Sequence, residues 1–178
     1  MPALVIECGA NDLLLPYVSE VDTAWALAVK ALLQKGKEPI SNPKELIPLF
    51  SRRLESVAEA VDSFNLPISS VAVMTIPILG EDLFSRLNIR KREVNTAIKN
   101  ICKETGIICI DSEYVLEQII INRSSELDNG YYFFPTSESP DLFITDADFI
   151  AGNPENADSL SQKRGLIVTV DGLHFNST

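Results

Sequence analysis

Residues 3–12 read Ala3-Leu4-Val5-Ile6-Glu7-Cys8-Gly9-Ala10-Asn11-Asp12. A short apolar run stopped by a glycine is the pattern of a buried strand in a parallel sheet, covered on both faces. The Asn-Asp pair behind it is a natural turn former. Outward from this stretch the chain alternates between helical and strand patterns. Val21, Trp25, Ala28 and Leu32 recur at helical spacing, which predicts a helix over about 21–34 with Gly36 as its stop. Asn42, Pro43 and Glu45 supply an N-cap, a first-turn proline and a capping acid. The helix they open carries Leu46, Phe50, Leu54, Val57, Val61 and Phe64 along one face.

A second buried strand is predicted over 71–76, closed by Pro77, and a helix over about 90–105 with Val94, Ile98 and Ile101 inward. Gly106 caps that helix, residues 107–110 form a third strand, and 114–121 form a short helix. Strand, helices, strand, helix, strand is the grammar of a parallel α/β sheet. The stretch 122–164 is rich in Ser, Asp, Asn and Pro. It reads as an insertion with some irregular β structure in one domain spanning 1–178. A further strand-like run, 166–170, delivers the chain to Asp171.

The 178 residues contain 15 Lys and Arg, 25 Asp and Glu and a single histidine, for a formal charge of -10. That balance excludes a generic nucleic-acid binder, which needs surplus cations for phosphates, and an anchor on an anionic membrane surface. No apolar run approaches the length of a membrane span, and no charged n-region precedes an apolar signal segment. One histidine excludes a metal site built from several imidazoles. Cys8, Cys102 and Cys109 show no C-x-x-C spacing and lie in apolar runs, so they read as small buried hydrophobes of a reducing compartment. The cluster Arg86, Arg90, Lys91 and Arg92 reads as a solvated helix face, and Asp141, Asp146 and Asp148 as solvated loop acids without calcium-loop spacing. The aromatic island at 131–134 reads as packing.

In open parallel sheets, sites form at the carboxyl ends of strands. Those positions hold Gly9-Ala10-Asn11-Asp12, Thr75-Ile76-Pro77, Asp111-Ser112 and Asp171-Gly172-Leu173-His174-Phe175-Asn176. An aspartate three residues before a histidine can hold one ring nitrogen and leave the other as a base. Asn11 offers a neutral N–H donor suited to a developing oxyanion.

Gly9-Ala10-Asn11-Asp12 resembles the G-x-N-D block of the SGNH (GDSL-like) hydrolases, and Asp171-Gly172-Leu173-His174-Phe175-Asn176 resembles their D-G-x-H-x-N block. The order of the blocks, with a T-x-P strand end between them, is also that of the family. The resemblance implies a flavodoxin-like three-layer α/β/α domain, esterase or acylhydrolase activity on a small-molecule ester, and no metal or other cofactor. It implies His174 as general base, Asp171 as its orienting carboxylate and Asn11 as an oxyanion-hole donor. Gly9 and Asp12 would shape the turn that presents Asn11. The family nucleophile is a serine in a G-D-S block on an earlier strand. Only eight residues precede Gly9, so the expectation is an N-terminally incomplete domain holding the base and lacking the nucleophile. Ser112 and Cys8 are minor candidates for that role: Ile110 stands where G-D-S has its glycine, and Cys8 belongs to an apolar run. The rival expectation is a non-catalytic SGNH-like binding or interaction module.

Overall fold

The computed structural model describes residues 4–21, 27, 43–65, 67–123, 150–153, 155–170 and 174–176. Among them, β1 (Leu4–Ile6), β2 (Val71–Met74) and β3 (Ile108–Ile110) form one parallel sheet in the order β1-β2-β3. Leu4 pairs with Val71 and Ile6 with Val73, while Ala72 pairs with Ile108 and Met74 with Ile110. This is the α/β class that the alternating pattern predicts. The expectation of full burial fails for β1, where Leu4 and Val5 are about half exposed. Among the described residues β1 pairs on one side only, with β2.

Among the described residues, four α-helices lie between the strands or directly after them in the chain. They are α1 (Ala10–Val21), α2 (Pro43–Ser63), α3 (Arg86–Thr105) and α4 (Ser112–Arg123). The helix expected over 21–34 lies outside the described residues, apart from Val21, which closes α1, and Leu27. Instead α1 begins at Ala10, so the Asn-Asp pair is its first turn rather than a free turn. Pro16 within α1 masks that helix in the sequence, since its ring removes the N–H that would reach the Asp12 carbonyl.

On α2, Leu46, Phe50, Leu54 and Val61 are buried as their spacing predicts. Phe64 is not: it lies past the helix end and is 75% exposed. α3 starts earlier than expected because the start signal is Ser85, whose hydroxyl accepts the Asn88 N–H at 3.2 Å. Val94, Ile98 and Ile101 of α3 join Val71 and Val73 of β2 and the α2 residues in one core. Each such buried side chain contributes about 1.5–3 kcal/mol. Gly106, at φ 78°, ends the helix and donates its N–H to Cys102 O at 2.9 Å.

One expectation is overturned in part on α3. Lys91 is fully buried rather than solvated, with its ammonium 3.2 Å from Glu113 and 3.4 Å from Glu117. Arg92 is partly covered and meets Glu117 at 2.9 Å. A basic cluster read from composition alone cannot reveal acids waiting on the next helix. A smaller core unites Ile78, Leu83, Ile120, Ile167 and Val168.

Two more corrections concern the C-terminal third. Residues 156–163 of the expected irregular insertion form a helix, α5 (Asn156–Lys163). Among the described residues, 166–170 join no sheet, and Thr169 alone makes a bridge, antiparallel to Phe175. The aromatic island at 131–134 and Asp141, Asp146 and Asp148 lie outside the described residues.

Candidate active site

The strand β1 ends at Ile6, and the chain turns through Gly9 at φ 104° into α1. A Cβ at Gly9 would run into the Phe50 ring and stand 2.9 Å from Ile76 Cδ1. Only glycine fits, because both the left-handed backbone and the close approach of α2 forbid a side chain. The turn leaves a cavity of about 330 Å³ at the carboxyl ends of β1 and β2, lined by residues 7–12 and Pro77. Gly9, Asn11 and Asp12 all line this cavity. Asn11 is exposed at this cavity, in the first turn of α1.

Pro77 belongs to the loop after β2, and α3 holds that loop by its backbone. Asn95 accepts the Ile76 N–H at 2.8 Å and donates to the Ile76 carbonyl at 2.8 Å. Asn88 accepts the Leu79 N–H at 3.0 Å and donates to the carbonyls of Gly80 and Asp82 at 2.9 and 2.8 Å. Both asparagines are fully buried and two helical turns apart, so one helix face fixes the whole loop.

At the far end of the loop, buried Glu81 takes four hydrogen bonds from the C-terminal segment. The N–H of Ile167 reaches Oε2 at 2.7 Å. The N–H groups of Val168 and Thr169 reach Oε1 at 2.9 and 2.8 Å, and the Thr169 hydroxyl at 2.6 Å. The segment so held pairs with residues 174–176: Val170 N–H donates to His174 O at 2.7 Å, and Asn176 N–H to Val168 O at 3.0 Å. The Asn176 amide also donates to Ser161 Oγ at 2.8 Å and to Ile167 O at 3.2 Å. His174 is exposed at the end of this arrangement and is not among the residues lining the cavity. Asp171 lies outside the described residues.

No protein-family model fits this chain, and neither a curated protein nor a solved structure is similar enough to count as a match.

The minor nucleophile candidates both have another explanation. Ser112 donates its hydroxyl to the Thr75 carbonyl at 2.6 Å, and the Thr75 hydroxyl accepts the Glu113 N–H at 3.0 Å. Ser112 thus joins the end of β2 to the start of α4. Cys8 is exposed at the cavity instead of buried in the strand, which is a correction. Its thiol is pushed above its ordinary value by partial burial and then by the Asp12 carboxylate, with Arg53 pulling the other way. A thiol kept protonated is a poor nucleophile. Cys102 is buried and its thiol is pushed up to about 12, mainly by burial and then by Cys109.

Sequence reasoning missed Glu81, Asn88 and Asn95. The signal for the asparagines was their seven-residue spacing on the inward face of α3, where a polar residue needs a buried partner. For Glu81 the only signal was an acid directly after the apolar stretch 76–80.

Proposed function

We propose that this chain carries the acid–base half of an SGNH-like ester hydrolase in a flavodoxin-like three-layer α/β/α domain. The observation that carries the reading is the loop after β2. Pro77 of that loop lines the cavity containing Gly9, Asn11 and Asp12, while Glu81, four residues on, holds the segment leading to Asp171 and His174. A loop that borders the first block and holds the run leading to the second supports the reading.

In this mechanism His174 takes the proton of an attacking serine hydroxyl and later returns it to the departing alcohol. Asp171 orients the imidazole and balances its charge. The Asn11 amide N–H faces the carbonyl oxygen as it becomes an oxyanion, and such a donor lowers the barrier by about 3–4 kcal/mol. No serine of this sequence stands in a G-D-S block, so the mechanism calls for one from sequence upstream in the same reading frame.

The test is an assay with p-nitrophenyl acetate on the protein extended by its upstream reading frame. We expect hydrolysis, reduced about 10³-fold or more by His174→Ala. Undiminished activity in that variant would remove His174 from the chemistry and end the proposal. The rival reading, a binding module, is favoured by one observation: no hydroxyl side chain lines the cavity among the described residues. An upstream frame without a strand-G-D-S-helix block would decide for it.

A further inference from the structure

We infer that Glu81 is the positioning residue of His174, its carboxylate taking the N–H groups of residues 167–169 in place of a neighbouring strand. The use of His174 as a base rests on the hydrolase reading. The anchoring rests on geometry alone.

Three consecutive backbone N–H groups and one hydroxyl converge on this single side chain, which is only 4% exposed. An ionised carboxylate accepts about four hydrogen bonds and donates none, so this donor set matches it and no other side chain as well. Converging N–H groups are an anion-binding arrangement, and hydrogen bonds to an ionised acceptor are the strong ones. A neutral glutamine would turn an N–H₂ toward at least one of these donors.

The anchored residues are the ones that hold the histidine segment. Val168 O, Thr169 and Val170 N–H are the pairing partners of Asn176, Phe175 and His174. Glu81 is itself bracketed, because Asn88 binds the backbone of Leu79, Gly80 and Asp82 on either side of it. Order therefore passes from α3 through Asn88 to Glu81, then to residues 167–169 and on to His174. A residue that only filled space in the small core would not make His174 depend on its charge.

The chain contains a single histidine, so its imidazole gives one unambiguous NMR signal, and the test uses the full 178-residue chain. In Glu81→Ala we expect the amides of 167–169 to exchange roughly 10- to 100-fold faster, the loss due to removing hydrogen bonds to a charged acceptor. The His174 ring signal should move to the position of an unstructured histidine while β2 and α3 amides keep their protection. Glu81→Gln, almost the same shape, should lose part of that protection and displace the ring signal in the same direction. Thr169→Val removes only the hydroxyl donor and serves where Glu81→Ala does not fold. Wild-type protection at 167–169 and an unmoved ring signal in Glu81→Ala, or in both milder variants where it does not fold, would overturn the inference. A displaced ring signal with no ester hydrolysis by the upstream-extended protein would leave the anchoring intact and remove the hydrolase reading.

Discussion

At Gly9 the backbone stands at φ 104° against the Phe50 ring, so this position combines two constraints that a methyl group would violate together. Left-handed backbone on alanine and overpacking each cost about 1–3 kcal/mol. Gly9→Ala is therefore expected to lower unfolding free energy by about 2–5 kcal/mol in urea denaturation. A loss under about 0.5 kcal/mol would show that the turn can relax. Asn95 makes a comparable case without strain. Replacing it by alanine leaves the N–H and carbonyl of Ile76 without their partner in a buried site. The expected loss is about 2–4 kcal/mol, with Asn95→Asp intermediate because it keeps only the acceptor. The turn at Gly9 was legible because a glycine that ends an apolar run is a local signal. The role of Asn95 was not: its spacing marks a polar residue on an inward helix face, but its partner is backbone 19 residues back in the chain and leaves no side-chain pattern.

Between α3 and α4 the legible part is the apolar face and the illegible part is the charge. Lys91, Glu113, Glu117, Arg92 and Lys99 join the two helices, with Lys99 also 2.8 Å from Asp111. Burial pulls the Lys91 ammonium below its ordinary value, and Glu113 and Glu117 only partly offset this. Burial acts the same way on Lys99, but Asp111 and Glu113 outweigh it and leave that lysine raised. A lowered lysine binds its proton less tightly folded than unfolded, so its contribution makes stability rise as pH climbs toward 10.5. The Cys102 thiol, raised from 9.0 to about 12, works in the opposite direction, with stability falling as pH rises above about 9. Comparing wild type with Lys91→Met cancels the thiol. We expect the variant to lose up to about 3 kcal/mol at neutral pH, because the carboxylates keep only Arg92 and Lys99. Its deficit should widen from pH 8 to 10.5 in urea titrations, and Glu113→Gln in the same background should recover part of it. A deficit independent of pH would mean that Lys91 acts through packing alone.

Across the whole molecule, the parallel α/β order was legible because apolar runs and helical spacing are local signals, and β2, α3 and β3 fall close to where they predict. The C-terminal arm was not. Residues 166–170 have the apolar run of a strand, yet a carboxylate 86 to 88 residues earlier takes their N–H groups instead of a neighbouring strand. Nothing local separates those two fates. The described residues accordingly form two cores of unequal size. The large one spans α1, α2, α3 and the sheet, and the small one joins Ile78, Leu83 and Ile120 to Ile167 and Val168. Regions with few buried apolar contacts open at lower free energy than the main core. Ile167→Ala should accordingly accelerate amide exchange at 167–169 while shifting the global urea midpoint little. Ile98→Ala, in the large core, should cost about 2–5 kcal/mol globally. If Ile167→Ala instead lowers the global midpoint as far as Ile98→Ala does, the two cores unfold as one. The segment carrying His174 would then be as firmly built as the sheet, because no smaller opening would be available to release it.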